Sequence, residues 1–231
     1  MVVSDIKCLL VFGSHARGDN DEYSDHDICV FVKCGEYDKS NVNEIVLNLV
    51  NLPLLEVEKV NIVIYDEDIL DLMLENGSLF LWHLKFESSI CYGDEFFKEK
   101  ILKLEEFTRH IEDLLYYSEI FVELQLSYKQ ISKDNVFDFS LLFTIVRNIC
   151  MLLCHKNKRY KFGRRDVFES CLQDFAGFPI DISDYDFLAA KKIQYERGIV
   201  VQTNLNPKNI NSLLTKVEIL ITYAKERFSI T

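Results

Sequence analysis

Apolar and polar residues alternate in short blocks over the first part of the chain, a pattern typical of a mixed α and β domain. Short apolar runs bounded by turn residues predict β-strands, at 6–12, 27–33, 58–65 and 89–92. Apolar residues at three- and four-residue spacing predict helices, at 41–51, 66–75 and 78–85. Asn76-Gly77 is expected to end the second of these helices, because such residues are common at helix C-termini.

Helical spacing alone follows the turn at Tyr92-Gly93-Asp94. The helical stretches are long and amphipathic or apolar, at 95–129, 137–155, 164–175, 184–197 and 207–228. Several helices in succession predict an up-and-down bundle. The predicted fold class is therefore α+β, with an N-terminal mixed-sheet domain over residues 1–94 and an all-α helical bundle over residues 95–231.

Charge and composition indicate which classes of partner the protein is expected to bind and where it is expected to be located. The formal net charge is −11, and surfaces that bind nucleic acid are usually basic, so nucleic acid is not an expected partner. No unbroken apolar run reaches the roughly 18–20 residues that span a bilayer, so no membrane partner is expected. The seven cysteines are odd in number and lie mostly in apolar runs. That usage is typical of reduced, buried thiols and predicts a cytoplasmic protein. The sequence does not decide the oligomeric state, and a homodimer is one of the alternatives.

The segment between the first two predicted strands carries the clearest chemical signal. Gly13-Ser14-His15-Ala16-Arg17-Gly18 forms a turn, and Ser24-Asp25-His26-Asp27 opens the next strand. Side chains at positions i and i+2 of a strand point to one face, so Asp25 and Asp27 converge. Two carboxylates are hard oxygen ligands suited to Mg²⁺, and a Gly-Ser turn offers backbone N–H groups to phosphate. Together they predict transfer of a nucleotidyl group from a metal-bound triphosphate.

That reaction gives each residue of the segment a role. Gly13 would let the backbone approach a phosphate, Ser14 would donate hydrogen bonds to it, and Arg17 would make a charge-assisted contact. Asp25 and Asp27 are the predicted catalytic and metal-holding residues. Catalysis of this kind consists mainly of positioning and of neutralising developing charge.

The residues Gly13-Ser14, ten intervening residues and Asp25-His26-Asp27 resemble the signature of the DNA polymerase β-like nucleotidyltransferase superfamily. The variant in this chain is most similar to minimal nucleotidyltransferases and aminoglycoside nucleotidyltransferases. The resemblance implies a nucleoside triphosphate donor, ATP or another, with Mg²⁺ or Mn²⁺ as cofactor. It also implies that a nucleoside monophosphate, AMP by preference, passes to a hydroxyl of a small molecule or a protein.

The resemblance implies a third carboxylate on the next strand, and here the chain departs from the pattern. Strand alignment puts Asn61 there, as a third metal ligand through its carbonyl oxygen that brings no charge and accepts no proton. Glu58 and Asp66 are alternatives for the missing carboxylate, although Asp66 is expected at a helix N-terminus. A nucleotide-binding regulator without turnover, similar to an antitoxin, is therefore a second hypothesis.

The helical half resembles the helical domains fused behind nucleotidyltransferases, including the HEPN (higher eukaryote and prokaryote nucleotide-binding) type. Arg147-Asn148 and His155 lie on one predicted helix and share a face at this spacing, which resembles the HEPN ribonuclease motif. An RNA-cleaving bundle is a third hypothesis, and it requires Arg147 and His155 to meet in a groove that RNA can reach. The alternative is that both side chains serve solubility and the dipole at the end of the helix.

Overall fold

Runs of buried residues in the first part of the chain build one mixed sheet. The structure, a computed structural model, describes residues 5–20, 24–35, 39–50, 60–131, 136–200 and 209–230. Its strands are β1 (Ile6–Phe12), β2 (His26–Val32), β3 (Val60–Asp66) and β4 (Ser88–Tyr92). They lie in the order β3-β2-β1-β4; β1 is antiparallel to both β2 and β4, and β2 is parallel to β3.

Helices connect the strands in the first part of the chain, and the described residues after β4 form helices without further strands. Those of the first part are α1 (Gly13–Arg17), α2 (Lys39–Val50), α3 (Glu67–Glu75), α4 (Leu79–Glu87) and α5 (Asp94–Ile101). Those of the second part are α6 (His110–Ile131), α7 (Val136–Lys156), α8 (Asp166–Asp174), α9 (Ile182–Arg197) and α10 (Ile210–Arg227). A mixed sheet followed by helices confirms the predicted α+β class. Residues 51, 58–59 and 207–208 of the predicted elements lie outside the described residues.

Apolar side chains cover both faces of the sheet. On one face, Cys29 and Phe31 of β2 belong to a cluster that includes Leu70 of α3, Leu81 of α4 and Phe97 of α5. On the other face, alternate strand residues pack against α2 through its fully buried valines, Val42 and Val46. Because side chains alternate along a strand, β1, β2 and β3 contribute to both clusters, whereas β4 contributes Ile90 to the first.

The chain divides into two compact units, Met1–Thr108 and Arg109–Thr231. Helix α5 falls in the first unit, although the sequence put residues from 95 onward in the helical domain. The helical spacing over 95–129 is also interrupted, because residues 102–109 are not helical. This segment is held at the turn between α3 and α4: the Glu105 N–H donates to the Leu74 carbonyl at 3.1 Å, and Phe107 is buried.

Helix α7 lies at the centre of the second unit, where α6, α8, α9 and α10 all pack against it. It is long and apolar enough to cross a bilayer by length and composition, and 61% of its most apolar window is buried within the structure. Arg147 and Asn148 interrupt its apolar residues, so the helix contains no unbroken apolar run of bilayer length, and the absence of a membrane partner stays a prediction. Its burial is typical of the core helix of a bundle.

Two buried histidines meet in the core of the second unit. His110 of α6 and His155 of α7 lie with Nε2 and Nδ1 3.2 Å apart, and both side chains are largely shielded from solvent. Burial, followed by the neighbouring His110, lowers the pKa of His155 to about 4. The neutral form is favoured because a charged imidazole would lose its hydration.

Replacing Gly93 by alanine is expected to destabilise the first unit. Gly93 has φ 75°, and a Cβ built there would overlap the backbone oxygen of Lys7 in β1. Gly18 has φ 76°, but among the described residues nothing lies within 4 Å of its Cβ position. Both variants carry the cost of a left-handed alanine. Gly93→Ala should therefore lower the free energy of unfolding by about 1–3 kcal/mol more than Gly18→Ala. Urea unfolding followed by circular dichroism measures this difference, and equal losses would contradict the close approach.

The buried His155 is expected to make stability fall in acid. The unfolded chain binds this proton near its ordinary pKa of 6.5, whereas the folded chain binds it only near 4. Stability is therefore full above pH 6.5 and decreases as the pH falls toward 4, by at most about 3 kcal/mol. Urea unfolding of the parent chain and of His155→Gln between pH 7 and 4.5 checks this. The difference between the two chains removes the contribution of carboxylates, and parallel pH profiles would rule out the proposed burial of a neutral imidazole.

Candidate functional site

Four strand ends meet at one end of the sheet, and the register of the strand pairing brings the predicted residues Asp27 and Asn61 there. Phe12, the last residue of β1, lies opposite Asp27 on one side and opposite Ser88 on the other. Asp27 in turn lies beside Asn61 in the parallel pairing of β2 with β3. The register thus aligns the C-terminal end of β1 with the N-terminal ends of the other three strands.

Gly13 and Asp27 are in close contact at this end of the sheet. Gly13 leaves β1 with φ 74°, and a Cβ built on it would lie 2.5 Å from Asp27 Oδ2. Only a residue without a side chain can hold this backbone conformation and leave that oxygen its place. The carboxylate of Asp27 therefore lies directly against the turn that the sequence predicted as the phosphate cradle.

Asn61 occupies the position that strand alignment assigned to it. Its amide Nδ2 donates a hydrogen bond to Asp27 Oδ1 at 3.1 Å, and its side chain is exposed. The nitrogen must face Asp27, because two acceptor oxygens would repel each other. The sequence proposed a metal ligand through the carbonyl oxygen, whereas the group that faces Asp27 is the amide donor.

Of the two alternative carboxylates, Asp66 lies at the wrong end of its strand. It pairs with Val32, five residues along β2 from Asp27, which corresponds to roughly 16 Å at about 3.3 Å per residue. Its carboxylate instead caps α3 by accepting the Ile69 N–H at 2.9 Å. The expectation of a helix-terminal role is confirmed. Glu58 lies outside the described residues.

Asp25 and Ser14 complete the predicted set. Asp25 comes two residues before Asp27 and directly precedes β2, whose first residue is His26. Ser14 lies in the first turn of α1, where its carbonyl accepts the Gly18 N–H at 2.9 Å and so closes the turn. Among the described residues, no group of three or more His, Cys, Asp and Glu side chains could hold a metal ion. Position 61 is an amide and therefore adds no carboxylate beside Asp27.

Arg17 is already paired with carboxylates. Its Nη1 lies 2.9 Å from Glu87 Oε2, and its Nε donates to Asp19 at 3.2 Å. The Glu87 and Arg17 side chains are only 9% and 16% exposed. Glu87 immediately precedes β4, so this ion pair fastens α1 to the end of α4. The phosphate contact that the sequence assigned to Arg17 stays a prediction.

The sequence assigned no role to α4, yet one face of this helix borders the site. His83 packs edge-on against Phe12 with ring centroids 5.5 Å apart, and its Nε2 lies 3.5 Å from Glu87 Oε2. Phe80, three residues earlier, also packs edge-on against Phe12. Positions 80, 83 and 87 have the spacing of one helix face, which was the available signal, but nothing in the sequence linked that face to β1.

A pair of stacked imidazoles joins α1 to β2 beside the turn at Gly13. The rings of His15 in α1 and His26 in β2 lie with centroids 3.7 Å apart. Among the described residues, the buried His15 Nε2 has no hydrogen-bond partner. The stack joins the helix that follows Gly13 to the strand that carries Asp27, so it fixes the turn relative to the carboxylates.

Arg147 and His155 do not form a second reactive centre on α7. Arg147 Nη2 donates to the Phe162 carbonyl at 2.7 Å, and His155 is buried against His110 and Tyr160. Eight residues along a helix separate the two backbones by about 12 Å. These contacts are structural, so the geometry does not favour the RNA-cleaving hypothesis.

The arrangement at this end of the sheet has the parts that transfer from a triphosphate requires. The carboxylate of Asp27 lies against the backbone turn at Gly13, Asp25 precedes it by two residues, and an ion pair fixes the helix that follows. Carboxylates are ligands that divalent cations take, and such turns can bind phosphate oxygens. The mutual approach of Asp27 and Gly13 would bring the cation and the phosphates together.

The comparisons agree with this interpretation. The family model described as Nucleotidyltransferase domain matches residues 3–134, more than half of the 231 residues. The match covers the described part of the first unit and continues through α6. A search of curated proteins gave no match. The end of the sheet where Gly13, Asp27 and Asn61 meet lies inside the matched range, and the chain belongs to the nucleotidyltransferase domain family.

Proposed function

We propose that the protein transfers a nucleoside monophosphate from a nucleoside triphosphate to a hydroxyl group on a small molecule or a protein. ATP is the proposed donor, AMP the transferred group and Mg²⁺ the cofactor. The observation that supports this most directly is the contact between Asp27 and the backbone of Gly13. It places a candidate metal ligand against a candidate phosphate-binding turn, which is what binding of a metal–triphosphate complex needs.

The residues present fit a divalent cation. The space that a Cβ at Gly13 would fill is taken by Asp27 Oδ2, and Asp25 brings a second carboxylate from two positions earlier. A divalent cation held there would neutralise charge on the phosphates. Ser14 and the backbone of the turn would orient the triphosphate so that the acceptor oxygen and the leaving pyrophosphate lie in line.

Arg17 and Glu87 have a supporting part in this proposal. Their ion pair fixes α1 against the end of α4 before any substrate binds. A turn held in advance costs less entropy when the triphosphate arrives. We also propose a cytoplasmic location, and the proposal is compatible with a homodimer.

Asn61 favours a second candidate function, a regulator that binds nucleotide without turning it over. An amide cannot accept the proton of an attacking hydroxyl, and loss of a general base typically costs about 10²–10⁴ in rate. Binding would survive this loss, because Asp25, Asp27 and the Gly13 turn do not depend on the charge at position 61.

Replacing Asp27 by asparagine is expected to abolish both metal-dependent nucleotide binding and transfer. Asp27→Asn keeps the shape of the side chain but removes the charge that a divalent cation needs. Calorimetric titration with ATP and Mg²⁺ measures binding, and pyrophosphate release with a panel of hydroxyl acceptors measures transfer. We expect at least a 100-fold loss in each for Asp27→Asn. The control is Asp71→Asn, which removes a carboxylate paired with Lys100 on the surface and should leave both unchanged.

The same two measurements distinguish the two candidate functions. Pyrophosphate release by the parent chain supports the transferase, whereas binding without release across the panel favours the regulator. Unchanged binding and release in Asp27→Asn would show that this carboxylate is not part of the site.

The Gly13 turn is expected to be more sensitive to a methyl group than the Gly18 turn. Gly13 and Gly18 have nearly equal φ values, 74° and 76°, but only at Gly13 would a Cβ collide with Asp27. Gly13→Ala should therefore weaken binding of ATP with Mg²⁺ at least tenfold, whereas Gly18→Ala should stay within about threefold of the parent, since 1.4 kcal/mol corresponds to a tenfold change. Calorimetry on both variants, with thermal unfolding as a check on folding, makes the comparison. Similar affinities in the two variants would show that the Gly13 turn takes no part in nucleotide binding.

A further inference from the structure

We propose that this site holds a single divalent cation, the one that arrives with the triphosphate, and lacks the place for a second. The proposal rests on the proposed function, because it specifies the metal content of that same site. Sites for this chemistry can use two cations about 3.5–4 Å apart, one for the attacking and one for the leaving oxygen. The arrangement of Asp27 and Asn61 is compatible only with the cation that serves the leaving oxygen.

The two oxygens of Asp27 have different surroundings. Oδ2 lies against the turn at Gly13, on the side where the triphosphate is proposed to bind. Oδ1 lies on the side of β3 and accepts the amide hydrogen of Asn61 at 3.1 Å. A cation shared with the triphosphate would therefore bind Oδ2, with Asp25 as its proposed second ligand, whereas a second cation would have to bind between Oδ1 and position 61.

That second place is unfavourable to a cation. The amide nitrogen of Asn61 presents the positive end of its dipole to Asp27 Oδ1, where a carboxylate at position 61 would present negative charge. Two neighbouring divalent ions repel each other strongly, and carboxylates normally offset the repulsion. Among the described residues, Asp25 and Asp27 are the carboxylates that this proposal assigns to the site, and the neutral amide at position 61 adds no charge to offset the repulsion between two cations.

No other carboxylate of the described residues replaces the missing one. Asp66 lies at the far end of β3 and caps α3, and Glu87 is engaged with Arg17. Among the described residues there is also no group of three or more His, Cys, Asp and Glu side chains that could hold a metal ion. The charge at position 61 therefore determines how many cations the site accepts.

Electron paramagnetic resonance of Mn²⁺ tests this proposal without relying on activity. The full chain is titrated with Mn²⁺ in the presence of the α,β-methylene analogue of ATP, and a protein-free titration corrects for Mn²⁺ bound by the analogue alone. We expect one Mn²⁺ per parent chain, with a spectrum of an isolated ion. Asn61→Asp should bind two Mn²⁺ and show the exchange-coupled spectrum of a close pair. The matched control Asn61→Leu, similar in size and uncharged, should bind one.

Each outcome separates this proposal from the proposed function. Two coupled Mn²⁺ ions on the parent chain would overturn the single-cation site and leave the transferase intact. One Mn²⁺ on Asn61→Asp, with thermal unfolding that shows a folded variant, would show that position 61 does not set the number. Absence of bound Mn²⁺ on the parent chain in the presence of the analogue would instead overturn the proposed function itself.

Discussion

The contact between the Asp27 carboxylate and the backbone of Gly13 is the constraint on which the site depends. It follows from strand pairing, because Phe12 lies opposite Asp27 and the next residue must leave β1 with a positive φ. A side chain at position 13 would have to occupy the place of Asp27 Oδ2. Glycine therefore serves the local turn and the carboxylate at once, and the sheet register links phosphate binding to metal binding.

The rest of the first unit keeps that end of the sheet in place. Buried apolar side chains on both faces fix the strands against their helices, and the ion pair of Arg17 with Glu87 ties α1 to α4. The stack of His15 on His26 joins the same short helix to β2. Three different interactions thus hold a turn of a few residues in place. Such rigidity is expected where a substrate must be oriented before it reacts.

Much of this arrangement could be predicted from local sequence. The bounds of β1 and the end of α3 at Asn76 followed from apolar runs and turn residues, which act over short distances. The placement of Asn61 beside Asp27, 34 residues away in the chain, followed from the resemblance to the nucleotidyltransferase superfamily together with the strand pattern. The partners of Arg17 could not, because Glu87 is seventy residues away in the chain. The break after α5 was missed for the same reason: a hydrogen bond to the distant Leu74, rather than a local signal, holds residue Glu105.

The phosphorus atom that is attacked tests the central claim most directly. ATP labelled at the γ-phosphorus is incubated with the protein, Mg²⁺ and the panel of hydroxyl acceptors, and the labelled products are separated. Transfer of AMP by Asp25 and Asp27 predicts labelled pyrophosphate, because attack at the α-phosphorus releases the β- and γ-phosphates together. Labelled orthophosphate or a labelled acceptor, produced by the parent chain and lost in Asp27→Asn, would place the attack at the γ-phosphorus and contradict nucleotidyl transfer.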